Sequence, residues 1–593
     1  MTHPTTRRRF MAYFSSAGLA TTLLPGVLWA KMQEANARRI TAAMLKDALA
    51  VAGLEFTEGE REQIVNGLNQ NLERYENLRN LDLDELAPPL YFSPIVPGTR
   101  LDRVARPAHS SRTPAVQRPA NLEDLAFAPI AHLAQLLKTR QVTSMELTRM
   151  YLDRLKRYNP TLNFVVTFTD DLAMSQARQA DEEIGAGKYR GPLHGVPWGC
   201  KDIIAVPGYP TTWGSGAFKE QRFEREATVV RLLREAGAVL IAKLATGELA
   251  AGDRWFGGRT NSPWDPRDGS SGSSAGPASA TGAGCVAFGI GTETSGSILS
   301  PSTACGVTGL RPTFGRVSRT GCMTLSWTQD RIGPLCRTAE DCALVFHAIA
   351  KTDDDDLSVI DLPFNWDPEL DVRTLKVGYF RPGFEEANRE GDWRKNDQQT
   401  LETLRSLGVE LEPFDLSGVT SMLVGGSGGI LGAESAAAFD KFLRSGRTSE
   451  LTNKQRANGF RTNRLIPAVE YLQAQRARAL LMRQFAAVAG RFDVYIAPFM
   501  AVRGGGAATL AAASTPATTP PAPQPPSAIR DHFQVANVCG YPAVSVPNGF
   551  TSDGKPTSIT FLGRLYNEAQ ILALAKAYQD RAGFHNTHPK LTN

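Results

Sequence analysis

Beyond its first thirty residues, this 593-residue sequence has no apolar run long enough to cross a bilayer, a task that takes about 20 mostly apolar residues in succession. Charge of one sign is also scarce. The formal net charge is +5, and Arg7, Arg8 and Arg9 supply three of those charges. What is left holds no cluster of Lys and Arg of the kind that phosphate backbones require, so no nucleic-acid partner is expected. Histidine is sparse and scattered, with no HExxH motif, so neither a catalytic metal nor any other cofactor is expected. Cysteine is low and odd in number: seven, at positions 200, 285, 305, 322, 336, 342 and 539. That spacing matches no metal-ligand pattern, and seven thiols cannot all pair within one chain. A disulfide or two and a set of free buried thiols both stay open.

What is present is an ordinary globular composition, 42% hydrophobic and 21% charged, with length enough for a large core. The chain opens with "TTRRRFMAYFSSAGLATTLLPGVLWAK". A basic cluster ahead of a mildly apolar, small-residue segment is the layout of a secretory signal. Twin arginines followed by Phe10 resemble the signal of the bacterial twin-arginine pathway. Ser15, Ser16, Thr21, Thr22 and Pro25 make Met11 to Ala30 a poor membrane-spanning helix. Residues 1–30 are therefore expected to be a twin-arginine-type signal peptide, cleaved near Ala30 or after Ala35-Asn36-Ala37. The mature protein is then periplasmic or secreted, with no stable membrane insertion.

Residues 31–120 are expected to form a helical extension followed by a Pro-rich connector. "TEGE" (Thr57 to Glu60) has the spacing of a capping box, and apolar residues follow at helical intervals. From about residue 121 to 590 the chain alternates helical and strand-like segments. "TSMELTRMYLDRLKRYNP" opens with a Thr143-x-x-Glu146 box and aligns Leu147, Met150, Tyr151, Leu155 and Tyr158 on one face. "TVVRLLREAGAVLIAKL" reads as a helix that stops at Gly237 and becomes a strand. "LETLRSLGVELEPF" repeats the pattern, while "TLKVGYF" and "FDVYIAPF" read as buried strands. This alternation predicts an α/β domain with helices over a largely parallel sheet. Residues 501–527 form a long Gly- then Pro-rich loop.

One stretch stands apart: "GSSGSSAGPASATGAGCVAFGIGTETSGSILSP" (Gly269 to Pro301). Its small residues suggest a linker, yet Ala283 to Gly291 is an apolar run suited to a buried strand. Gly272 to Gly276 fits G-x-S-x-G. A nucleophile elbow needs a strand directly before it, and "NSPWDPRDGSS" is full of turn formers instead.

A longer pattern fits better. "GVPWGCKD" (Gly195 to Asp202), "SGSSAGPASA" (Ser271 to Ala280), "GTETSGSILSPSTACG" (Gly291 to Gly306) and "GLRPTFGRVS" (Gly309 to Ser318) follow in order. Together they resemble the amidase signature family, strongly over about 125–350 and again at "FDVYIAPF" and "NVCGYPAVSVPNGFTSDGKPTSITFLG". The resemblance implies a large mixed β-sheet covered by helices on both faces, an α/β/α fold. It also implies a Ser-cisSer-Lys triad. Lys201 matches the family's lysine and Ser297 its nucleophile. The bridging serine, a fixed 24 residues upstream, is Ser273, with Ser274, Gly272 and Asp202 in support. Asp202 can be read equally as orienting Lys201 or as a helix cap. The oxyanion-hole donors implied are the backbone N–H groups of Thr294, Ser295, Gly296 and Ser297. Ser295 stands where the family commonly has Gly, and Leu299 where it commonly has Arg. Arg311, Arg316, Asp330 and Arg331 are read as structural.

These residue types suit the chemistry. A serine hydroxyl must lose its proton as it attacks, and a lysine takes that proton only when neutral, which burial favours. Preorganised N–H donors then stabilise the tetrahedral oxyanion, each typically contributing roughly 10²–10³ in rate. The expected function is an exported amidase acting on a small-molecule amide through an acyl-enzyme. Whether it forms a homodimer is left open. The alternatives are an esterase or carbamate hydrolase of the same family, or the glutaminase subunit of a tRNA-dependent amidotransferase. A Ser-His-Asp esterase is a further rival, separable by whether a His or Lys201 is needed. The substrate pocket is expected in segments 420–470 and 501–530.

Overall fold

The computed structural model describes residues 40–52, parts of 55–68, and residues 92–591 apart from 108–109, 113, 390, 420–426 and 501–526. The 1–30 segment and nearly all of the 501–527 loop lie outside the described residues. Residues 1–84 and 85–593 are two units, each taken by itself. In the first, Ala42–Ala52 is a helix. The Thr57–Glu60 box also closes there: Thr57 N–H donates to the Glu60 carboxylate at 2.7 Å and Glu60 N–H to Thr57 Oγ1 at 3.4 Å.

In the second unit, Thr143 caps α1 (Ser144–Leu162) with a reciprocal capping box to Glu146. The five residues aligned by helical spacing in that segment are all buried. The next unit is α2 (Thr228–Glu235), which ends before Gly237 and leads into a strand of the main sheet. The strands, in chain order, are β1 (Val165–Phe168), β2 (Pro197–Lys201), β3 (Val239–Leu244), β4 (Arg254–Trp255), β5 (Gly258–Arg259), β6 (Phe288–Glu293) and β7 (Thr308–Arg311). They continue with β8 (Arg331–Cys336), β9 (Val377–Phe380), β10 (Leu411–Phe414), β11 (Val494–Pro498), β12 (Ala543–Phe550) and β13 (Pro556–Gly563). Strands β4 and β5 form a separate two-stranded ribbon; the other eleven make one sheet in the order β1-β3-β2-β6-β8-β7-β12-β13-β11-β9-β10.

The expectation of a largely parallel sheet needs correction, whereas the mixed sheet implied by the family resemblance is what the fold contains. Only the pairings β3–β2, β2–β6, β11–β9 and β9–β10 are parallel. The centre, from β6 through β8, β7, β12 and β13 to β11, is antiparallel, and within it β12 and β13 are joined by a tight turn, Thr551 to Lys555, rather than a crossover helix.

Helices cover both faces. Alternation along β13 places Ser558 and Phe561 on opposite sides. Ser558 hydrogen-bonds Thr303 of α4 (Leu299–Cys305) at 2.7 Å, while Phe561 packs on Tyr578 of α7 (Glu568–Ala582). Helix α3 (Ala275–Gly282), built from the small-residue stretch, packs against α4, β6 and β2. Two more helices bear on the site, α5 (Ala468–Ala489) and α6 (Ala528–Val538). The Pro-rich segment runs along the body: Phe92 lies under the Arg478 guanidinium, and Val116 N–H donates to Gln135.

Candidate active site

Lys201 is the last residue of β2, a strand held between parallel neighbours β3 and β6 and buried along its whole length. The residue is fully buried. Nζ lies 2.8 Å from Ser273 Oγ, 2.8 Å from Thr292 Oγ1, 3.2 Å from Ser274 Oγ and 3.4 Å from the Thr292 carbonyl oxygen. Burial lowers its pKa from 10.5 to about 7, while the carboxylates of Asp330 and Glu293 pull the other way. A lysine in this setting exchanges its proton near neutral pH.

Ser273 follows a cis Gly272–Ser273 peptide bond. Only glycine fits at 272, since a Cβ there would stand 1.9 Å from the Gly252 carbonyl oxygen. The two neighbouring serines differ in their hydrogen bonds. Ser274 Oγ donates to the Thr292 carbonyl at 3.1 Å and accepts from Thr292 N–H at 3.1 Å, so its proton is committed. Ser273 Oγ has Lys201 as its partner. Ser274 N–H also donates to the Ser297 carbonyl at 3.1 Å, tying the start of α3 to the turn ahead of α4.

That turn, Thr294 to Ile298, joins β6 to α4. Gly296 makes it with φ +88°, in the left-handed region that glycine adopts freely. Among the described residues, no acceptor takes the backbone N–H of Ser295, Gly296 or Ser297. The next two N–H groups, Ile298 and Leu299, donate to the Glu293 carboxylate at 2.7 and 2.9 Å. Ser297 keeps 9% of its surface exposed. Leu299 is buried in an apolar cluster with Phe533 and Phe499. Against α6 lies a pocket of about 260 Å³ walled by Phe380, Pro382, Leu416, Val419, Ala528, Val535 and the carboxylate-bearing Asp531.

Several contributors escaped the sequence reading. Thr292 supplies Lys201 with a hydroxyl and a carbonyl contact. Glu293 pairs with Arg311 at 3.0 Å, both fully buried. Asp330 accepts from Thr294 Oγ1 at 2.5 Å and from the N–H groups of Leu325 and Ser326. Asn537 donates to the Thr294 carbonyl at 2.8 Å. The one available signal was the position of Asn537 inside "NVCGYPAVSVP", a matched motif. Asp202 needs correction on both readings, because its carboxylate pairs with buried Lys243 at 2.7 Å and accepts from Thr212 N–H. Among the described residues, no histidine hydrogen-bonds Ser273, Ser274 or Ser297. His532 instead meets Tyr495, and burial pushes it down to about 3. All seven cysteines are free and buried.

A mixed eleven-stranded α/β sheet carrying a buried lysine, two flanking serines and a turn of open N–H donors defines an α/β serine-hydrolase scaffold. The chain belongs to the Amidase family, whose model matches residues 146–572, and it cleaves amide C–N bonds. It is 33% identical to the A subunit of the glutamyl-tRNA(Gln) amidotransferase of Chloroflexus aurantiacus over 77% of this chain and 96% of that one. The native peptide amidase of Stenotrophomonas maltophilia superposes with a TM-score of 0.64 at 26% identity, covering 77% and 98% of the two chains. A chain of the protein complex tied to the origins of an s-triazine catabolic enzyme gives 0.68 at 25%, covering 76% and 98%.

Proposed function

We propose that Ser297 is the nucleophile, Ser273 the proton relay and Lys201 the general base in the cleavage of a carboxylic amide. The observation that carries this reading is the buried Lys201 amine, 2.8 Å from Ser273 Oγ and poised to be neutral near pH 7. Neutral Lys201 accepts the Ser273 proton while Ser273 accepts that of Ser297. Ser297 Oγ bonds to the amide carbon, and the carbonyl oxygen becomes an oxyanion facing the N–H groups of the 294–297 turn. Ser273 returns the proton to the leaving nitrogen, the C–N bond breaks, and water later hydrolyses the acyl-Ser297 ester. The same steps serve an ester or a carbamate.

Two fates of the nitrogen remain in play. The relatives at 30–33% identity over nearly their full length are the A subunits of glutamyl-tRNA(Gln) amidotransferases, which supports a glutaminase role beside partner chains. A free, exported amidase draws support from Arg7 to Arg9 and the small-residue apolar segment behind them. The test is hydrolysis of an amide panel that includes glutamine, with Ser297→Ala as control. Equal turnover by both proteins would sink the mechanism. Glutamine-specific ammonia release together with stably co-purifying partner chains supports the amidotransferase reading. Turnover of other amides by the lone chain, found outside the cytoplasm after fractionation, supports the exported amidase.

A further inference from the structure

Asn537, on the last turn of α6, is fully buried and engaged at both ends of its amide. Its Oδ1 accepts from Arg331 Nη1 at 2.9 Å and from Arg311 Nη1 at 3.2 Å. Its Nδ2 donates to the Thr294 carbonyl oxygen at 2.8 Å. The Thr294 carbonyl and the Ser295 N–H belong to one peptide group, so whatever polarises the oxygen strengthens the donor. Two guanidinium groups withdraw electron density from Oδ1, which makes Nδ2–H a stronger donor, and that effect passes to the peptide beyond it. One turn earlier on α6, Phe533 fixes the helix against the site. Its ring lies 3.5 Å from where a Gly296 Cβ would be and 5.7 Å from the Arg311 guanidinium. Asp330 holds the other side of Thr294 through its hydroxyl.

We infer that Asn537 is a positioning residue of the oxyanion site, relaying the polarisation by the Arg331 and Glu293-paired Arg311 guanidinium donors into the Thr294–Ser295 peptide. Neither arginine touches the oxyanion. Each acts at one remove, so the site gains positive polarisation without a mobile cation beside Ser297. The inference rests on the assignment of Ser297 as nucleophile.

The test measures the second-order rate at which a fluorophosphonate labels Ser297, followed by mass spectrometry, in the full chain and its variants. Ionised Asn537→Asp still accepts from both arginines but has no N–H for Thr294. It is expected to melt lower, since its second oxygen faces the Thr294 carbonyl, and, at a temperature where it is fully folded, to label about tenfold or more slowly than the native chain. Asn537→Ala is expected to lose labelling and stability together. Asn537→Asp labelling at the native rate while folded would overturn the inference, as would a loss of labelling that tracks only its melting temperature. Should Asn537→Asp fail to fold, Arg331→Met, which removes one of the two cationic donors to Asn537 Oδ1, supplies the second reading. A folded Arg331→Met protein is expected to label several-fold more slowly, and native-rate labelling overturns the relay. Absence of Ser297 labelling in the native chain would count against the nucleophile assignment instead.

Discussion

The Ser274 backbone N–H donates to the Ser297 carbonyl oxygen across 3.1 Å, which clamps the start of α3 to the turn ahead of α4. This bond is independent of the Ser274 side chain. Replacing Ser274 by Ala removes only the hydroxyl bonds to Thr292 and Lys201 and leaves the clamp intact. Amide turnover is expected to fall roughly 10- to 100-fold, against about 10²–10⁴-fold for loss of the relay in Ser273→Ala. Steady-state kinetics on one amide substrate ranks the two. Equal losses would mean that the two hydroxyls are not distinguished as their contacts imply.

Lys201 fixes the pH dependence. Activity should rise with pH around a midpoint near 7, where the buried amine becomes neutral. Stability carries the same signature. Between about pH 7 and 10.5 the unfolded chain holds a proton that the folded chain lacks, so this group's contribution to stability rises with pH across that window. Lys201→Met abolishes activity and removes that rise. Its stability gain over the native chain should be largest at or below pH 7 and shrink by roughly 4 kcal/mol towards pH 10.5. Urea unfolding of both proteins at several pH values reads the difference, and a constant gap would contradict the burial of the amine.

Glu293 and Arg311 pair in full burial, and Glu293 also caps α4 through Ile298 and Leu299. Glu293→Ala strands a buried guanidinium and two N–H groups, so a loss of about 3–5 kcal/mol is expected. Glu293→Gln keeps an acceptor oxygen and should lose less. Denaturant unfolding with an unchanged slope measures both. A neutral Glu293→Ala would mean that water reaches Arg311.

The burial of the seven cysteines is testable too. Burial raises the thiols of Cys200, Cys285 and Cys539 to about 12 and lifts those of Cys305, Cys322 and Cys336 as well. A thiol-specific reagent at pH 8 should find none in the native protein and seven after denaturation without reductant. Fewer than seven would reveal a disulfide.

The helix–strand units were legible in the sequence because their physics is local. The cap at Thr143, the glycine stop at 237 and the buried apolar strands depend only on neighbours in the chain. Sheet direction was not legible in the same way, because it depends on how strands connect. The hairpin signal Asp553-Gly554 sits between β12 and β13 and marks an antiparallel pair. The small-residue stretch concealed α3, since Ala, Gly and Ser carry no apolar periodicity. Lys201, Ser273 and Ser297 could be picked out by motif order and spacing. Thr292, Asp330 and Asn537 could not, because their partners lie up to 243 residues away and only the folded sheet brings them together. Asp202 is the converse case: its proximity in sequence to Lys201 suggests a partnership that β3 supplies through Lys243 instead.

Strands β2 and β6 are adjacent and parallel, with Lys201 ending one and Glu293 ending the other. The spacing of the lysine from the following turn is thus set by a backbone ladder, whose register admits no half steps. The serine–lysine geometry therefore comes from strands and turns between 197 and 299, while Asn537 reaches the same turn from far along the chain, so a change in the register of β2 against β6 would move Lys201 by a whole residue step or not at all.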